Sequence, residues 1–194
     1  MLFDKENLRM NTKTNDIMRL VLTALMMSLI FILTYSIRVP VPATNGYIHL
    51  GDSMIFISVI LLGRKYGALA SALGSALSDF LAGYNHYVPV TFLIKGLMAV
   101  VMGLIIEKTI KKSASNLQFK LAEILAMTLA GCIMIGGYYV AESFMYGSWI
   151  TPLSAIPMNG IQFIAGLVLA VSIIRLLEHS PAEKIMAYTP ESKL

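Results

Sequence analysis

The sequence predicts an all-α membrane protein, a bundle of six transmembrane helices with the N and C termini both cytoplasmic. Three observations carry this. Of 194 residues, 57% are hydrophobic and 13% charged, more apolar side chain than one soluble core of this size can hide. The apolar residues fall in long runs, and a bilayer core about 30 Å thick takes about 20 helical residues whose backbone polar groups pair among themselves. The basic residues, finally, gather on one side of the threaded chain.

The first run, 18–37, follows a polar lead at 1–17. It is too long for a removable signal peptide and lacks a small-x-small cleavage site. The second and third runs, 48–62 and 66–82, meet at Gly63-Arg64-Lys65-Tyr66-Gly67, where two glycines and two adjacent cations suit a tight turn at a charged interface. The fourth, 88–106, and the sixth, 157–177, open with Pro89 and Pro157, at positions where a helix tolerates a missing backbone donor. The fifth run is 121–144. With no internal repeat or linker, 18–177 reads as one membrane domain and 178–194 as a cytoplasmic tail.

Thirteen of the fifteen Lys and Arg residues lie on one side of this threading: Lys5, Arg9, Lys13 and Arg19; Arg64 and Lys65; Lys108, Lys111, Lys112 and Lys120; Arg175, Lys184 and Lys193. Arg38 lies alone on the other side, and Lys95 lies within a span. By the positive-inside rule the basic side is cytoplasmic. The net charge of +4 therefore reflects topology, and nucleic-acid binding is not needed to explain it. Cys132 is the single cysteine, which excludes an intrachain disulfide and a cysteine metal cluster. No phosphate loop, H-E-x-x-H or G-x-S-x-G occurs, so neither nucleotide hydrolysis nor a common hydrolase mechanism is encoded.

Asp52, Asp79, Lys95 and Glu142 lie within or against the apolar runs, all toward the outer face. A charge in lipid costs about 2.5 to 3.5 kcal/mol on insertion scales, so such residues face a partner, a cavity or a ligand. Asn159 and Gln162, three apart, share a helix face on the same side. The outer connections add Asn45, Tyr47 and His49, then Tyr84, Asn85, His86 and Tyr87, then Tyr146 and Trp149; the candidate binding set takes the first six of these together with Tyr139 on the fifth run. The cytoplasmic halves carry almost nothing comparable. Plainer roles compete with binding: Asp52 and Asp79 as interfacial caps, Lys95 bridged to Asp79 or Glu142, tyrosines in an aromatic belt, and Asn159 with Gln162 bonding between helices. His49 and His86 lack the i+4 partner of a helical metal pair, so no metal is expected.

Several segments together resemble the substrate-binding S components of energy-coupling factor (ECF) vitamin transporters. They are Gly46-Tyr47-Ile48-His49-Leu50-Gly51-Asp52, Leu62-Gly63-Arg64-Lys65-Tyr66-Gly67-Ala68, Gly74-Ser75-Ala76-Leu77-Ser78-Asp79 and Leu93-Ile94-Lys95-Gly96-Leu97. The resemblance covers about residues 18–177, with helices five and six matching mainly in hydropathy. It implies a six-helix bundle in a prokaryotic plasma membrane that captures a vitamin from outside, under the connections between helices 1 and 2, 3 and 4, and 5 and 6. It implies assembly with a transmembrane T component and two cytoplasmic ATPases, toppling to release the cargo inward, and no cofactor of its own, ATP being used by the partners. The small helix-1 face that meets the T component would be Ala24 and Ser28.

Three carboxylates against one lysine disfavour a polyanion, and amides and tyrosines suit ring nitrogens and hydroxymethyl groups. The expected cargo is a pyridoxine-like or hydroxymethylpyrimidine-like heterocycle. Riboflavin stays open. So do a self-sufficient ion-coupled carrier and, with less support, an intramembrane enzyme built on Asp79 and His86.

Overall fold

The computed structural model describes residues 2–41, 46–111 and 115–189, with side chains from residue 16 onward. Helix α1 (Leu2–Ser36) leads to a short antiparallel hairpin, β1 (Val39–Pro40) and β2 (Tyr47–Ile48), paired Val39 to Ile48 and Pro40 to Tyr47. Then follow α2 (Gly51–Leu81), α3 (Val88–Lys111), α4 (Asn116–Tyr146), a 3-10 turn at Thr151–Ala155, α5 (Ile156–Glu178) and a second 3-10 turn at Pro181–Ile185. Helix α1 packs on α2, α2 on α3 and α5, and α4 on α3 and α5. Their shared core is aliphatic and methionine-rich, with Ile30, Phe56, Met98, Met102, Met127 and Met134 fully enclosed.

Five helices among the described residues are long and apolar enough to cross a membrane. Where the sequence suggests separate helices at 48–62 and 66–82, hydrogen bonding gives a single 31-residue element broken at Gly63, whose φ of 77° and ψ of 175° leave the helical region. Glycine adopts that left-handed φ without a Cβ penalty. In a straight helix, residues 58 and 71 would stand about 20 Å apart. Their hydroxyls are 3.3 Å apart, so α2 is folded back on itself and its two arms, 51–62 and 64–81, lie side by side.

Local signals move other boundaries. Helix α4 starts at Asn116, ahead of the expected 121, because Ser115 and Gln118 form a capping box: the Ser115 Oγ accepts from the Gln118 N–H, and Gln118 Oε1 from the Ser115 N–H. Such reciprocal bonds satisfy amides that the first turn leaves free. Gly147, at φ 61°, closes the same helix.

The segment after α5, read from the sequence as a tail, is docked on the bundle over its described residues. The Ala187 N–H donates to the Leu61 carbonyl at 3.0 Å and the Tyr188 N–H to that of Ile60 at 3.1 Å. The break at Gly63 deprives these carbonyls of helical partners, as at any helix end. Tyr188, almost wholly buried, accepts from the Arg64 N–H at 2.9 Å and donates to Glu107 Oε1 at 2.7 Å. Nor is this end of the bundle free of buried charge, contrary to expectation: enclosed Glu123 takes Arg175 Nη2 at 2.5 Å.

Candidate functional site

At the opposite end lies a narrow cavity, largely filled by its own lining side chains. Three connections wall it: Val41, Gly46, Tyr47 and His49 from the β-hairpin region, Tyr84 and Tyr87 between α2 and α3, and Ala155 before α5. Helices contribute Asp79, Thr91, Tyr138, Glu142, Asn159 and Gln162.

Beneath the cavity is an ion pair. Lys95 Nζ meets Asp52 Oδ1 at 2.5 Å with both side chains fully enclosed, and it stands 5.4 Å from the centre of the Tyr138 ring. The other Asp52 oxygen accepts from Gln162 Nε2 at 2.7 Å, and Gln162 Oε1 accepts from the His49 N–H at 3.0 Å. Gly166, one turn beyond Gln162, permits this approach, since a Cβ there would lie 3.2 Å from the Asp52 Cβ. Asp52 and Lys95 thus brace the floor without lining the cavity.

Lys95 therefore does not pair with Asp79 or Glu142, the partners the sequence suggests. Helix α5 brings Gln162 onto Asp52, and that carboxylate, held on its second oxygen, takes the lysine. Asp79 instead accepts the Tyr47 hydroxyl at 2.6 Å. Glu142 accepts that of Tyr87 at 3.1 Å, and Tyr87 also bonds Tyr146 at 2.9 Å.

Aromatic rings succeed one another around the wall. His49 and Tyr47 are 5.7 Å apart between centroids, Tyr47 and Tyr84 4.8 Å, Tyr84 and Tyr87 6.4 Å, and Tyr87 and Tyr138 6.4 Å. Burial lowers the His49 imidazole to about 4, leaving it neutral, with Nδ1 accepting the Gly51 N–H at 3.0 Å. Burial, reinforced by Asp79, raises the Tyr47 phenol above its ordinary range, so it remains a donor. The lining thus contains two carboxylates and no cation at neutral pH.

Of the sequence-derived candidates, Tyr47, His49, Asp79, Tyr84, Glu142, Asn159 and Gln162 line the cavity. Asn85 and His86 do not; with Tyr84 and Tyr146 they border a separate surface depression. Tyr139 faces away, donating to the Trp149 carbonyl at 3.1 Å. Asn45 lies outside the described residues. Tyr87, read from the sequence as part of an outer connection but left out of the binding set, also lines the cavity. So do Thr91 and Tyr138, which were missed although helical spacing points to them: Thr91 precedes Lys95 by four and Tyr138 precedes Glu142 by four, which puts each pair on one face. Tyr139 is one residue out of phase. On α1 the buried face carries Thr23, Met26, Ile30 and Thr34, while Ala24 and Ser28 point outward, the Ser28 hydroxyl bonded to the Ala24 carbonyl at 2.8 Å.

The class of protein follows from the family match: a transporter S component. The chain belongs to the family of ECF-type riboflavin transporter S components, which it matches over residues 14–179; these are transporter subunits and not enzymes. It is 28% identical over 166 residues to the thiamine precursor transporter HmpT of Lactococcus lactis subsp. cremoris (strain MG1363), covering 85% of this chain and 90% of that protein. An uncharacterised protein from the gap 3' region of Pyrococcus woesei is 34% identical over 114 residues, 59% of this chain and 71% of the relative. A solved S component of a bacterial ECF transporter has the same fold, with a TM-score of 0.64 at 18% identity over 84% of this chain and 97% of that one.

Proposed function

We propose that this S component captures a single-ring nitrogen heterocycle of the hydroxymethylpyrimidine type, a thiamine precursor, in the cavity under the three connections. The observation that carries the reading is the lining: two carboxylates, neutral amides and a succession of rings, with no cation. Such walls hold an uncharged or weakly basic ring by hydrogen bonds and face contacts, and repel a phosphate. The thiamine precursor transporter among the relatives supports the same cargo; none of the relatives adds support for pyridoxine.

Riboflavin is the second reading, favoured by the family the chain matches. The test is calorimetric titration of the purified protein with hydroxymethylpyrimidine, its phosphate, pyridoxine and riboflavin. Tightest binding of hydroxymethylpyrimidine with loss on phosphorylation is expected; saturable riboflavin binding without it overturns the assignment.

The proposal extends to the setting. Both arms of α2 cross, giving six passages with cytoplasmic termini in a prokaryotic plasma membrane, as the basic residues favour. The first arm, about 18 Å long, makes the bilayer thin there or relies on its neighbours. Outward-facing Ala24 and Ser28 meet the T component, which couples to two ATPases. A cysteine at Asn85 should react with an impermeant thiol reagent in intact cells; protection there, with labelling at Ser113, reverses the orientation.

A further inference from the structure

Most polar groups around the cavity already have partners. Asp79 accepts from Tyr47, Gln162 is used at both ends, Thr91 and Tyr138 bond each other at 2.9 Å, and Asp52 is closed off by Lys95. Glu142 differs. It is 3% exposed, its Oε1 is held by Tyr87, and its Oε2 is enclosed with no hydrogen-bond partner. It joins no ion pair among the described residues. Asn159 lines the same cavity from α5, and its side chain likewise makes no hydrogen bond among them.

Native interiors rarely leave enclosed acceptors unpaired, and those that do need a reason; Glu123 Oε1 at the other end is also unpaired, but its carboxylate is held by Arg175, whereas that of Glu142 is held by no cation. The free oxygen of Glu142 belongs to a residue that lines the cavity described above. An ionised carboxylate offers acceptors alone, whereas an asparagine amide both donates and accepts. The complementary ligand edge therefore presents an N–H donor beside a ring nitrogen acceptor. An amino group on a nitrogen heterocycle, adjacent to a ring nitrogen, has that pattern. A methyl, an oxo group or a hydrogen at the same place leaves Glu142 unpaired.

We propose that Glu142 is the specificity-determining residue of the cavity: its free Oε2 accepts from the exocyclic amino group of the bound heterocycle, and Asn159 donates to the neighbouring ring nitrogen. This rests on the single-ring reading above and deepens it, because it separates amino-substituted rings from pyridoxine-like rings that lack the amine.

The test compares two ligands on two proteins by calorimetry, using the full chain purified in detergent. The ligands are the amino-substituted hydroxymethylpyrimidine and its analogue bearing hydrogen in place of the amine. The wild type should bind the analogue more weakly by about tenfold or more, the loss expected when a site built for a donor meets a ligand without one. In Glu142→Met, the two ligands should bind within about threefold of each other. Equal affinity of the wild type for both ligands overturns the inference and leaves the cargo reading standing, and needs no variant to fold. Undiminished discrimination in Glu142→Met also overturns it. If the wild type binds neither ligand, the cargo reading itself fails and takes this inference with it.

Discussion

The two ends of the bundle treat buried carboxylates in opposite ways. At the tail end each has a cation: Glu107 stands 3.3 Å from Arg64, Glu123 and Glu178 both meet Arg175 at 2.5 Å, and Lys120 lies 3.7 Å from Glu178. Around the cavity, Asp79 and Glu142 have hydroxyl partners and no ion pair among the described residues; of the cations at that end, Lys95 is held beneath the floor by Asp52, and Arg38 lies against the Tyr35 and Tyr47 rings. Charge pairs and a docked tail close most of one end, where Glu123 Oε1 is enclosed without a hydrogen bond but the carboxylate takes Arg175 through its Oε2. At the other end the enclosed Oε2 of Glu142 belongs to a carboxylate with no cation. Such a group is of use where a ligand binds, because a ligand exchanges its water contacts only for groups not already committed.

Breaking the floor pair should have the largest effect. Lys95→Met leaves the enclosed Asp52 charge uncompensated and should lower stability by about 3–5 kcal/mol, while Lys95→Met with Asp52→Asn should recover most of the loss. Thermal unfolding in detergent measures both. Equal losses in the single and double variants would show that the pair is not a matched unit.

Acid should distinguish the ends next. His49 is neutral in the fold with its pKa lowered to about 4, whereas in the unfolded chain it titrates near 6.5. Between these values the unfolded state binds more protons, so the stability associated with neutral His49 is complete above about pH 6.5 and is lost as pH falls toward 4. The loss approaches about 3 kcal/mol at the lower limit. His49→Gln should flatten this part of the stability profile relative to wild type; parallel profiles would remove His49 as the cause.

The smallest effect belongs to the tail end. Tyr188→Phe removes the hydroxyl between the Arg64 amide and Glu107 and should cost about 1 kcal/mol with ligand affinity unchanged. A matching fall in affinity would show that the tail and the cavity are coupled, dissolving the contrast between the two ends.

Much of the site could be read in the sequence, because polar residues interrupting apolar runs stand out wherever they lie. Asp79, Glu142, Asn159 and Gln162 were legible for that reason, and Tyr47 and Tyr84 by their place in connections. Tyr138 was not, since a tyrosine next to Tyr139 differs from it only in helix rotation, about 100° per residue. Asn85 and His86 border a separate depression, which the sequence gives no means to foresee: a polar connection looks the same whether its side chains turn into a cavity or away from it.

By itself the sequence determined that this is a helical membrane protein, where its long apolar runs lie, and that polar side chains gather at one end of the threading. Hydropathy, turn residues and caps are local sums, read within a few turns of chain. Tertiary structure alone decided that Lys95 belongs to Asp52, that Gln162 seals that pair, and that the tail closes the break at Gly63. Those contacts join residues 43, 110 and more than 120 positions apart. They follow from how helices rotate and approach one another, and a pairing between distant buried charges is chosen by that geometry, since several carboxylates have the right charge and only one is within reach.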